Sequence, residues 1–201
     1  LISYRTDLNK KLSSNFEDVI NAISEGRLYF YDKFYSLASI NVEDYKNVGK
    51  NKEVLVVYFS RMGYTKKIAY EEANKIGADI IELKAKERTE NTSGFWWCGR
   101  YGMHKWRMPI EDINVDLKTY RKIIIVSPIW VFNVSAPVRE FCYKYSKDIN
   151  EVEYIFTHYM NAKFENAANE LDKILNKKTD RFTSVCVRLG KVKKKELLQM
   201  R

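Results

Sequence analysis

The spacing of apolar positions changes part-way along the chain and divides it in two. Phe16, Val19, Ile20 and Ile23 recur every three or four residues, the stripe of an amphipathic helix. Ser14 followed by Glu17 fits a capping box at its start, and Gly26 fits its stop. Phe30, Phe34 and Leu37 repeat the spacing inside a Tyr/Phe-rich stretch over 28–40 and predict a second helix. Residues 41–52 are polar, contain Gly49 and read as a linker. From residue 53 the pattern becomes one of short strands alternating with helices. Residues 53–60 form a nearly uninterrupted β-favouring run, expected of a strand covered on both faces. Residues 64–76 have helical spacing through Ala69, Ala73 and Ile76 and stop at Gly77. Further strands are predicted over 79–83, 122–127, 154–157 and 182–187. Helices are predicted over 137–145, opened by Pro137, over 165–175, and as a short closing element over 193–200.

Strands alternating with helices imply right-handed crossovers and a parallel sheet covered on both sides. The expectation is therefore an α/β chain: residues 51–201 as one doubly wound domain with a five-stranded parallel sheet, and residues 1–50 as a helical extension. The two helices of that extension are expected to pack on the domain or on a second subunit, which leaves a homodimer open. In an open sheet of this kind, ligands bind beyond the carboxyl ends of the strands.

Composition narrows the class. Hydrophobic residues make up 45% of the 201, enough for a sizeable core. The longest aliphatic/aromatic run, residues 54–59, is far too short to span a membrane. Three scattered cysteines with no Cys-x-x-Cys pair argue against a disulfide framework or zinc site and favour the cytoplasm, although a start at Leu1 leaves a removed leader open. The net charge is +9, from 35 basic against 26 acidic residues. Residues 176–201 hold nine basic and two acidic side chains, so the excess is C-terminal. Lys191, Lys193, Lys194 and Lys195 lack the aromatic or Arg/Gly interleaving that base stacking favours, so a solvated surface is a better reading than nucleic-acid binding.

The first strand runs into Ser60, Arg61, Met62, Gly63, Tyr64 and Thr65 and then directly into a helix. Two hydroxyls, a glycine and free amides at a helix N-terminus make a cradle for a phosphate monoester. Neither Gly-x-x-x-x-Gly-Lys-Ser/Thr nor Gly-x-Gly-x-x-Gly occurs, so triphosphate hydrolysis and dinucleotide binding have no motif here. After the third strand come Pro128, Ile129, Trp130, Val131 and Phe132, followed by the Pro137-led helix. Ser60-x-x-Gly63-x-Thr65 resembles the flavin mononucleotide (FMN) phosphate loop of the flavodoxin family, and the Pro128-x-Trp130 turn resembles one branch of it. The likeness covers residues 53–200 and leaves 1–50 outside. It implies strand order 2-1-3-4-5, FMN as cofactor, and Trp130 against the isoalloxazine ring. It also implies that the loop after the fourth strand, with His158, Tyr159, Met160 and Asn161, lines the pyrimidine edge.

The resemblance implies a flavin-dependent redox protein, with two outcomes open. One is a carrier exchanging electrons with a redox partner protein. The other is an oxidoreductase reducing a small-molecule acceptor such as a quinone with a nicotinamide donor. The alternative is a flavin-free flavodoxin-fold module that acts through residues 94–106 or the basic C-terminus. Phe95, Trp96, Trp97, Tyr101, His104 and Trp106 fall between the second and third strands, where a crossover helix is required. Core packing of that helix is the expected role for most of these rings. Cys98, with no base near it in sequence, is not expected to act as a nucleophile.

Overall fold

The computed structural model describes residues 39–188 and 191–200, so the helices expected before residue 39 lie outside the described residues. The chain is built on strands β1 (Asn51–Tyr58), β2 (Ala78–Glu82), β3 (Lys122–Trp130), β4 (Asn133–Val134), β5 (Glu151–His158), β6 (Arg181–Arg188) and β7 (Lys191–Gln199). Four helices connect them: α1 (Tyr64–Ile76), α2 (Asn91–His104), α3 (Ala136–Tyr145) and α4 (Glu165–Leu175). The sheet order is β2-β1-β3-β5-β6-β7, with β4 paired to β3 alone.

β2, β1, β3, β5 and β6 run parallel. Consecutive residues Val54 to Tyr58 on β1 and Ile123 to Val126 on β3 are buried, as the central strands of a sheet covered on both faces must be. On one face, Ile68, Ala69 and Ala73 of α1 pack on Val54, Val56, Ile124 and Val126. On the other, Phe141 of α3 and Leu171 of α4 pack on Leu55, Ile123, Ile125 and Phe156. Residues 41–50 join the domain: Asn47 N–H donates to Asn74 Oδ1 (2.9 Å) and Gly49 N–H to Ala78 O (2.9 Å).

Two sequence expectations are overturned. The sheet has its five parallel strands but is seven-stranded and mixed as a whole, because β4 folds back on β3 and residues 193–200 form no closing helix but the antiparallel strand β7. Long-range pairing explains this: Phe182 lies opposite Leu198 and Arg181 opposite Gln199, while Leu198 and Met200, two residues apart, reach the core. The lysines of β7 stay exposed along a sheet edge, where charge discourages further strand addition. The second correction is at the Pro128–Trp130 segment, which does not leave the sheet. β3 continues through it and folds back on β4, pairing Ile129 with Val134 and Trp130 with Asn133.

Among the described residues no helix is long and apolar enough to cross a membrane.

Candidate functional site

The first strand-to-helix turn is built by Gly63. It takes φ 81°, a left-handed conformation that costs other residues steric strain, and so lets the chain turn from β1 into α1. No side chain caps α1, so its first-turn amides face the end of the sheet without the partner a capping residue supplies. Ser60 Oγ is buried there with no hydrogen-bond partner among the described residues. A buried hydroxyl in that state costs free energy until an acceptor arrives. Thr65 Oγ1 is buried as well, 2.7 Å from Thr157 Oγ1 at the end of β5. If Thr157 donates in that pair, the Thr65 proton is left for a ligand. Arg61 places its guanidinium over the Phe95 ring, 5.3 Å from the centroid, and so brings a cation to the loop.

Trp130 stands beside this turn. Its ring meets Phe59 edge-on at 5.4 Å, and the residue is half-buried. Val131 (φ 47°) and Phe132 (φ 66°) form the two-residue hairpin turn from Trp130 to Asn133. Both central residues of such a turn need positive φ, a place for Asn or Gly; a β-branched valine there stores strain of order 1–3 kcal/mol. Three contacts hold it: Asn133 Nδ2 donates to Val131 O (2.9 Å) and to Gly102 O (3.0 Å), and Asn166 Nδ2 donates to Phe132 O (2.8 Å). Both turn side chains are exposed.

At the end of β5, His158 Nε2 lies 2.7 Å from Ser184 Oγ and Nδ1 lies 2.5 Å from Met160 O. Burial holds its pKa below the usual histidine value, against the Met160 carbonyl contact, which raises it. Both ring nitrogens are thus engaged within the protein. The imidazole packs on Phe164 and helps to wall a cavity of ≈ 180 Å³ with Asn161, Ser184 and Cys186. Tyr159 and Met160 are exposed at the rim, with Arg188 stacked over Tyr159.

The residues picked out by sequence therefore meet along one edge of the sheet: 60–65 after β1, 128–132 at the end of β3, and 158–161 after β5. Register ties the last two, since Pro128 lies opposite Thr157. Sequence reasoning passed over Thr157, whose hydroxyl pairing links positions 92 residues apart in the chain and leaves no local signal.

It also misjudged the aromatic segment. The crossover helix α2 spans most of that segment, yet of its large rings only Tyr101 enters the core. Trp96 is 64% exposed and Trp97 39%, as is Phe95, while Gly94, Cys98, Tyr101 and Gly102 are the buried positions. A Cβ on Gly94 would stand 2.3 Å from Thr89 C, and one on Gly102 2.7 Å from Trp130 O. Gly102 lets α2 approach the Trp130 hairpin this closely, and Gly94 lets the incoming chain at Thr89 lie against the helix. Burial pushes the Cys98 thiol up to about 12, against the pull of Arg61, so it is no nucleophile at neutral pH. Among the described residues no group of His, Cys, Asp and Glu could hold a metal ion.

No protein-family model matches the chain, and no curated protein matches it. Solved structures do. A flavoprotein from Lactobacillus acidophilus NCFM, in complex with FMN, is 21% identical with a TM-score of 0.54, over 68% of this chain and 92% of that one. Two proposed flavoproteins are similar as well. One from Bacteroides eggerthii is 23% identical (TM-score 0.55, 67% and 86% covered), and one from Bacteroides uniformis is 21% identical (TM-score 0.55, 69% and 94% covered). At this identity the likeness is one of fold: an α/β domain with a mostly parallel central sheet.

Proposed function

We propose that this chain binds FMN at the carboxyl edge of its sheet and works as a flavodoxin-like redox protein, exchanging electrons with a partner protein or a small acceptor such as a quinone. One observation carries the reading: a buried, unpartnered Ser60 hydroxyl beside the uncapped N-terminus of α1. That donor set suits a phosphate monoester, which brings the charge and the acceptor oxygens both groups lack. The similar fold of the L. acidophilus flavoprotein, in complex with FMN, supports FMN as the cofactor.

In this reading Ser60 and Thr65 donate hydroxyls and Met62, Gly63 and Tyr64 donate amides to the phosphate, with Arg61 adding charge. Pro128 and Ile129 hold Trp130 against one face of the ring, and Tyr159 covers the other. Val131 and Phe132 shield the edge from water, and the amides of Met160 and Asn161 face the pyrimidine edge; His158 positions that loop through Ser184 and the Met160 carbonyl. The flavin, when bound, supplies the acceptance and release of electrons. An apolar wall of Trp130, Phe132 and Tyr159 disfavours added negative charge and so tunes the potential. Neither the carrier nor the reductase role needs a side-chain acid, base or nucleophile.

Adding FMN to the purified chain while recording its visible spectrum and tryptophan fluorescence tests the reading. Saturable binding that quenches indole emission is expected, with Trp130→Ala weakening it by about 0.5–1.5 kcal/mol beyond the lost contact area. No binding by the intact chain would refute the reading, and full affinity with an unchanged flavin spectrum in Trp130→Ala would place the ring elsewhere.

A further inference from the structure

The outer face of α2 is apolar, and Trp96 and Met103 on it are exposed. Trp96, Arg100 and Met103 follow one another at i, i+4 and i+7, and Trp96 and Met103 are each 64% exposed. Phe95, Trp97 and Trp106 flank them, all about 40% exposed. An exposed apolar patch of this size on one helix marks a surface made for contact. Trp and Arg are also the residues most enriched among binding hot spots.

Charge says what kind of partner fits. Residues 84–107 hold six basic side chains, Lys84, Lys86, Arg88, Arg100, Lys105 and Arg107, and all six are exposed. The acidic ones are Glu87 and Glu90, and Glu87 is taken up by Trp97 Nε1 (3.0 Å) and Tyr101 OH (3.4 Å). Lys105 pairs with Glu170 (3.8 Å) and Arg107 with Glu140 (2.6 Å), so Arg100, with Lys84 and Lys86, carries the positive excess that a partner would meet. A second copy of the chain is disfavoured, because pairing this face with itself brings two surfaces of the same positive sign together. Single-stranded nucleic acid needs open ring faces. Here Arg100 covers the Trp106 ring at 5.4 Å, His104 stacks on the same ring at 4.7 Å, and Arg61 covers Phe95.

We propose that the outer face of α2, centred on Trp96 and Arg100, docks an acidic electron-carrier protein. α2 lies between Arg61 of the first turn and the Trp130 hairpin, so a protein seated there stands at the edge where the flavin is proposed. The electron-carrier identity of the partner rests on the FMN reading; the acidic docking surface does not.

The probe is an acidic plant-type [2Fe–2S] ferredoxin, titrated into the full chain by calorimetry with and without FMN. Binding is expected in both states, weakened at least tenfold by Trp96→Ala and by Arg100→Glu, and weakened by added salt. A basic carrier, cytochrome c, should not compete. Binding without any FMN uptake would leave the docking surface standing while the FMN reading failed; FMN uptake without ferredoxin binding would do the reverse. Affinity unchanged in both variants overturns the proposal. So does tighter binding of single-stranded DNA through the same residues, or a mass that doubles with concentration and reverts in Trp96→Ala. Shielding of Trp96 from acrylamide in the lone protein, judged against Trp96→Phe, would show that residues 1–38 already occupy the face, which also overturns it.

Discussion

α1 and α2 are both crossover helices of one sheet, yet they present opposite sides to it. α1 turns Ile68, Ala69 and Ala73 inward and leaves Glu71 and Lys75 in water, the ordinary division of an amphipathic helix. α2 turns Gly94, Cys98 and Gly102 inward and leaves Trp96, Arg100 and Met103 outside. For α1 the apolar stripe is also the buried one. For α2 what decides the buried face is residue size, because the helix backbone approaches Thr89 and the carbonyl of Trp130 within the width of one methyl group. One helix covers the sheet; the other is pressed against the site and offers its rings to solvent.

Gly94 is where this contrast is most sensitive. A methyl placed 2.3 Å from the Thr89 carbonyl carbon meets backbone, which cannot swing aside. Gly94→Ala should lower stability by about 3 kcal/mol in denaturant unfolding, the upper part of the range for overpacked sites. A tolerated alanine would mean that the chain at Thr89 stands further from α2 than described.

A smaller loss is expected on the α1 side. Thr65→Ala removes one half of the buried pair with Thr157 and leaves a hydroxyl without its partner, which should cost about 1–3 kcal/mol in the FMN-free protein. Thermal unfolding of Thr65→Ala against Thr65→Ser checks it, since serine keeps the hydroxyl. Equal losses in the two variants would assign the effect to the methyl group.

The smallest effect is predicted for the largest side chain. Trp96→Ala should change the stability of the isolated chain by no more than about 0.5 kcal/mol, because most of the ring is in water. A loss of several kcal/mol would put Trp96 under cover and remove the contrast with α1.

Legibility in the sequence divides along the same line. Residues 64–76 and 165–175 were readable as helices to the residue because Gly63 and Gly77 bracket the first, and Ala168, Leu171 and Leu175 line one side of the second. β7 was not legible. Its lysines are exposed, only Glu196, Leu198 and Met200 alternate, and the decision between helix and strand lay in pairing with β6. The α2 segment was recognisable as odd, but its inward face is made of glycines, Cys98 and Tyr101, selected by close approach rather than by apolar spacing. The site was legible where chemistry sits in one stretch, as in residues 60–65 and 128–132. It was illegible where it depends on partners remote in sequence. Thr157 meets Thr65, Ser184 holds His158, and Asn166 pins the Phe132 carbonyl.

FMN binding at this edge turns on the Ser60 hydroxyl, buried without a partner and awaiting an acceptor. The direct test is to measure two quantities on Ser60→Ala: the unfolding free energy of the FMN-free chain and the affinity for FMN. In the FMN-free protein the variant should be more stable than the parent, by up to about 1–3 kcal/mol, since alanine removes a buried hydroxyl that makes no hydrogen bond there. FMN binding should weaken by about 1.5–3 kcal/mol, the worth of one bond to a charged acceptor and roughly tenfold to a hundredfold in affinity. Equal FMN affinity in parent and variant would contradict the phosphate assignment and with it the proposed function of this edge.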